Sequence, residues 1–81
     1  MHPNEIKLKE TLADVFGVAV EAINEDSSMD TLEEWDSMKH LNLVLAIENS
    51  FSLSLSEEQV VEIISYPLIK LVLGEHGVAF S

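Results

Sequence analysis

The chain has 81 residues, 47% of them hydrophobic, with no cysteine and no arginine, and 15 acidic against 4 basic side chains give a formal net charge of −11. Such a chain is one small domain, too apolar for disorder, and it can build neither a disulfide nor a thiolate metal site. Its field repels phosphate backbones and anionic membrane surfaces, draws in partners with basic patches and opposes close self-association, so a monomer is expected.

The opening MHPNEIKLKE holds no apolar run of the signal-peptide kind, and no segment approaches the length of a membrane span. A cytoplasmic protein is the expectation. The first helix is read over Asn4–Phe16. Leu8, Leu12 and Val15 recur at helical spacing with Phe16, while Glu5, Lys7, Lys9, Glu10 and Asp14 fall mostly on the other side. Pro3 or Asn4 suits its start and Gly17 its stop. No helical period holds from Val18 to Asp36. That stretch is long for an unstructured connection, so Val20, Ile23, Met29 and Leu32 are expected to pin it across the domain.

Ser37–Phe51 is the clearest helix. Leu43, Val44, Ile47 and Phe51 form one apolar stripe, and Met38, Leu41 and Leu45 form a second beside it. A helix this apolar is central to a bundle or shares one edge with a partner or ligand. Phe51-Ser-Leu-Ser-Leu-Ser56 alternates, but a lone strand has no sheet to join, so it reads as an extended connector that lays Leu53 and Leu55 on the core. Ser56-Glu-Glu-Gln59 matches a capping box and predicts a short third helix to about Ile64. A last helix is expected from Pro67 to a stop at Gly74, with Leu68, Ile69, Leu71, Val72 and Leu73 as its apolar set. Glu75–Ser81 reads as a frayed tail. The expected fold is thus all-α, a small four-helix bundle with a short third helix and a long first loop, in a single domain over residues 1–81.

The chemistry concentrates at Glu34-Trp35-Asp36-Ser37-Met38, where an Asp-Ser pair opens the apolar helix. Either residue can serve simply as the helix cap, since both types lead at that position. Asp36, Ser37 and His40 also suggest a hydrolytic set. All three lie on one local turn with no oxyanion hole or substrate pocket indicated, so His40 reads instead as an exposed or capping histidine. The acids between Glu25 and Asp36 lack the order and the glycine of a calcium loop, and a solvated acidic loop is expected, with no metal. Trp35 and Tyr66 read as anchors.

The run from Leu32 to Phe51, LEEWDSMKHLNLVLAIENSF, closely resembles the phosphopantetheine-attachment region of acyl carrier proteins. That motif is Asp-Ser followed by Leu or Met, then an apolar helix ending in Glu and Phe. The likeness continues through the Val-Phe-Gly-Val end of the first helix, the long loop, the Ser-Glu-Glu start of the third helix and the apolar last helix. It implies a 4′-phosphopantetheine arm on Ser37, placed by a holo-synthase (a phosphopantetheinyl transferase). The arm's thiol would hold acyl or aminoacyl groups as thioesters. By the same resemblance Asp36 is the motif acid, and Met38, Lys39, Leu41, Asn42, Leu45 and Glu48 form the partner-facing helix surface. The implied partners are the holo-synthase, a loading ligase and a downstream acyltransferase or condensing enzyme.

Carriers of fatty-acid synthesis usually bear acids along this helix. Lys39, His40, Asn42 and Asn49 stand there instead, with Glu48 retained. A dedicated biosynthetic pathway is therefore expected rather than general elongation, and Trp35 before the motif points the same way. The competing expectation is an unmodified acidic interaction module that uses Met38, Leu41 and Leu45 as a contact patch.

Overall fold

The computed structural model describes residues 2–80. It contains four helices: α1 (Pro3–Phe16), α2 (Ser37–Phe51), α3 (Glu57–Glu62) and α4 (Tyr66–Glu75), with a 3-10 turn at Val20–Ala22. The all-helical expectation holds among the described residues.

Local chemistry explains each boundary. His2 caps α1 by accepting the Asn4 N–H on Nδ1, and Gly17 ends it at φ 69°, a left-handed conformation glycine adopts without strain. Asp36 caps α2. Ser56 and Gln59 complete the reciprocal capping box of α3. Three expectations are corrected here. The third helix stops at Glu62 rather than Ile64. The fourth starts at Tyr66, capped by Ser65, with Pro67 as its second residue. It also runs through Gly74 to Glu75, and the glycine that turns left-handed is Gly77, at φ 89°.

Helices α1 and α2 pack against each other. Lys7 Nζ lies 4.9 Å from the Phe51 ring centroid, Thr11 Oγ1 meets Ser50 Oγ at 3.3 Å, and Phe16 lies 5.0 Å from Trp35, so the two helices run antiparallel. The core combines Leu8, Leu12 and Phe16 of α1, Leu43, Val44 and Ile47 of α2, and Tyr66, Ile69, Val72 and Leu73 of α4 with Ile23, Trp35 and Ile63. Leu53 and Leu55 of the connector pack partly onto it, as do Met29 and Leu32 of the first loop. Val20 does not anchor that loop: it is exposed, because the 3-10 turn rotates it outward while Ile23 goes in. Leu68 and Leu71 likewise lie on the outer face of α4.

The long loop is stitched down by its backbone. Met29 N–H donates to Ile64 C=O at 3.0 Å and Tyr66 N–H donates to Ser27 C=O at 2.8 Å, an isolated antiparallel bridge centred on Ser28 and Ser65. Lys70 adds a side-chain tie to Glu25 of the loop at 2.6 Å and to Glu5 of α1 at 3.1 Å. Beyond α4, Val78 and Phe80 pack against the core and Asn4 Nδ2 donates to Ala79 C=O. Among the described residues, no helix is long and apolar enough to cross a membrane.

Candidate functional site

The start of α2 is where the candidate residues meet. Asp36 has extended backbone geometry, and its Oδ1 accepts the Lys39 N–H at 2.8 Å. Asp36 is thus the cap and Ser37 the first helical residue, which leaves the Ser37 hydroxyl outside the cap. Ser37 is exposed, as are Glu33, Glu34 and Asp36 around it. The N–H groups of Ser37 and Met38 belong to the first turn, where helical donors lack partners within the helix. A phosphodiester on Ser37 would face these donors and the positive end of the helix dipole, so the residues present fit such a group.

From this point an apolar stripe runs along the outside of α2. Met38 is 76% exposed, Leu41 62% and Leu45 60%. Val61 and Ile64 add exposed apolar surface in and just after α3. Asn42 and Asn49 are exposed beside the stripe, and Lys39 is half-buried. Glu48 is half-buried, and its Oε2 accepts the Leu55 N–H at 2.8 Å, which fastens the connector to α2.

His40 departs from the exposed or capping role expected of it. It is half-buried and turned inward, on the same side of the helix as Leu43, Val44 and Ile47. Trp35 Nε1–H donates to its Nδ1 at 3.0 Å, so the imidazole proton sits on Nε2, which lies 2.7 Å from the Val60 carbonyl and donates to it. Both ring nitrogens are engaged, which removes His40 as a base for Ser37. It also takes His40 off the exposed face of α2. The available sign was helical phase: His40 stands three, four and seven residues before Leu43, Val44 and Ile47.

Among the described residues, no three His, Asp or Glu side chains gather as a metal site. A salt-bridged cluster joins α1, the loop and α4. The Lys70 ammonium holds the Glu5 carboxyl below the usual carboxylate range, and the Tyr66 hydroxyl bonded to it adds to this. Burial first, and then the adjacent Glu5, push the Tyr66 phenol upward. The hydrogen bond from Lys70 to Glu25 raises the lysine. This cluster braces the fold around Tyr66.

A family model described as a phosphopantetheine attachment site matches residues 7–66. No curated protein matches the chain. Members of the matched family hold 4′-phosphopantetheine covalently on a serine and serve as non-catalytic carriers for enzymes that modify and load them. The match takes in α1 from Lys7 onward, the long loop, all of α2 and α3 and the first residue of α4. The chain accordingly belongs to the phosphopantetheine-attachment family, the family of the acyl carrier proteins.

Proposed function

We propose that this protein is an acyl or aminoacyl carrier without catalytic activity of its own, with Ser37 as the serine that bears the arm. The supporting observation is the division of labour at the head of α2. Asp36 takes the cap position and accepts the Lys39 N–H, so the exposed Ser37 hydroxyl is available for modification beside the free N–H groups of Ser37 and Met38. When bound, the arm supplies a terminal thiol, the sulfur nucleophile that a cysteine-free chain lacks. Asp36 keeps an exposed carboxylate next to Ser37 for the holo-synthase to recognise. Met38, Leu41 and Leu45, with Lys39 and Asn42 beside them, form the surface on which a loading ligase and a downstream acyltransferase or condensing enzyme dock. Glu48 supports that surface by fixing the connector behind it.

A dedicated pathway in the cytoplasm suits the chain better than general fatty-acid elongation. With His40 turned inward, the outer positions that usually carry acids show Lys39, Asn42 and Asn49. Partners shaped for an acidic helix face lose complementary charge here. Efficient elongation on this carrier by a fatty-acid synthase would refute that placement.

The attachment itself is tested by intact mass after incubation with coenzyme A, magnesium and a broad-specificity holo-synthase. A phosphopantetheine-sized gain is expected on the native chain and none on Ser37→Ala. A folded native chain that gains nothing would instead support an unmodified interaction module acting through Met38, Leu41 and Leu45.

A further inference from the structure

The inward row of α2 begins with His40, ahead of the buried Leu43 and Ile47. At that level four parts of the chain are joined side by side. Phe16 of α1 lies against Trp35 of the loop, at 5.0 Å between ring centroids. The Trp35 and His40 rings lie edge to edge, with centroids 6.2 Å apart and planes inclined by 21°. The His40 imidazole links the Trp35 indole N–H to the Val60 carbonyl of α3. An open hollow of about 200 Å³ lies elsewhere, against Ala22, Asn24, Asp26, Ser27, Thr31 and Leu32 of the first loop.

We propose that His40 closes the seam between α2 and α3 at the Ser37 end, so that thioester cargo rides outside the bundle and belongs to the short or polar acyl class. The proposal rests on Ser37 as the arm site. A chain that leaves Ser37 and turns toward Leu43, Ile47 or Ile63 must pass the His40–Val60 tie, three residues along the helix. Opening the tie leaves a half-buried carbonyl and the N–H of a buried indole without partners, and both losses oppose entry. A two- or three-carbon or aminoacyl unit has too little apolar surface to offset that opening. It loses nothing by staying in water, whereas a long alkyl chain left outside stays hydrated along its length.

The test loads the full chain from acetyl-, propionyl- and octanoyl-coenzyme A with a broad-specificity holo-synthase and follows thioester cleavage by hydroxylamine. Rates are taken relative to the same thioesters on coenzyme A, and backbone amide shifts of Leu43, Ile47 and Ile63 are recorded in parallel. On the native chain the three relative rates are expected to agree within about twofold, with the amides unmoved. On His40→Ala the octanoyl thioester alone is expected to slow by about fivefold or more, with shifts at those amides. His40→Ser, whose side chain is too short to span to the Val60 carbonyl, gives the same comparison if His40→Ala does not fold. Octanoyl protection with core shifts on the native chain would overturn the proposal while leaving the carrier reading intact. Equal octanoyl rates on the native chain and on both variants would show that His40 is not what closes the seam. A native chain that accepts no acyl-pantetheine at all would overturn the carrier reading and this inference with it.

Discussion

The Tyr66 hydroxyl donates to Glu5 Oε2 at 3.1 Å, joining the first residue of α4 to the first turn of α1 across 61 positions of sequence. Tyr66 is fully buried, and Lys9 and Lys70 lie over its ring at 5.8 and 5.2 Å. Replacing Tyr66 by Phe keeps the packing and removes the bond to a charged acceptor, a loss of about 1–2 kcal/mol. Tyr66→Ala removes the ring as well and should cost about 3–5 kcal/mol. Urea denaturation of the two variants separates the terms.

The same cluster sets a pH dependence. The Glu5 pKa is lowered in the fold, so its contribution is present above the unfolded carboxylate value of about 4.3 and is lost as pH falls through the folded value. The pKa values of Lys70 and Tyr66 are raised, so their contributions are present below the unfolded values, about 10 for both, and are lost as pH rises through the folded ones. Stability should therefore decline at both extremes, and Lys70→Met should weaken both declines. Urea midpoints measured across pH for the native chain and the variant provide the comparison. A variant with both slopes unchanged would show that Lys70 does not organise the cluster.

At the head of α2 the roles of neighbouring residues separate cleanly. Asp36→Ala removes the cap bond to Lys39 and should destabilise by about 1 kcal/mol. Ser37→Ala removes a hydroxyl outside the cap and should change stability by less than about 0.5 kcal/mol while abolishing modification. Thermal unfolding and intact mass on the same samples report the two effects independently.

His40→Ala should destabilise by about 1–3 kcal/mol, because it leaves the buried Trp35 N–H without its acceptor. Trp35 is the single tryptophan, so its fluorescence reports this directly. Emission from the native chain should be that of a buried indole and should shift to the red in the variant. His40→Gln, which can both accept and donate, should recover part of the loss.

On the outer face of α2, Leu41→Asp should leave the unfolding midpoint nearly unchanged and weaken productive encounter with the loading and transfer partners. Ile47→Ala, on the inner face, should do the reverse, with a stability loss of about 2–5 kcal/mol. Unfolding curves and turnover by a cognate ligase distinguish the two faces.

Local signals carried the parts of the fold that depend on neighbours in sequence. The bounds of α2 follow from an acidic cap and an unbroken helical period, and the capping box of α3 from four consecutive residues. Gly74 does not end α4, because a glycine stops a helix only where the backbone turns left-handed. That happens at Gly77, which composition alone does not distinguish from Gly74. Pro67 alone does not fix the start of α4, because proline fits either of the first two helical residues, and only the Ser65 bond to Leu68 N–H decides. Ser37 and its exposed apolar stripe were legible from motif and period. The inward turn of His40 was less so, because its acceptor Val60 lies 20 residues away and belongs to another helix.

The partner of His40 on α3 is a backbone carbonyl, a group that every amino acid supplies. Val61 and its exposed neighbours can therefore be exchanged to suit a different ligase or transferase while the closure stays in place. Retargeting this carrier then becomes a matter of substitution at the exposed positions of α3, with the histidine, the capping box and Val60 kept.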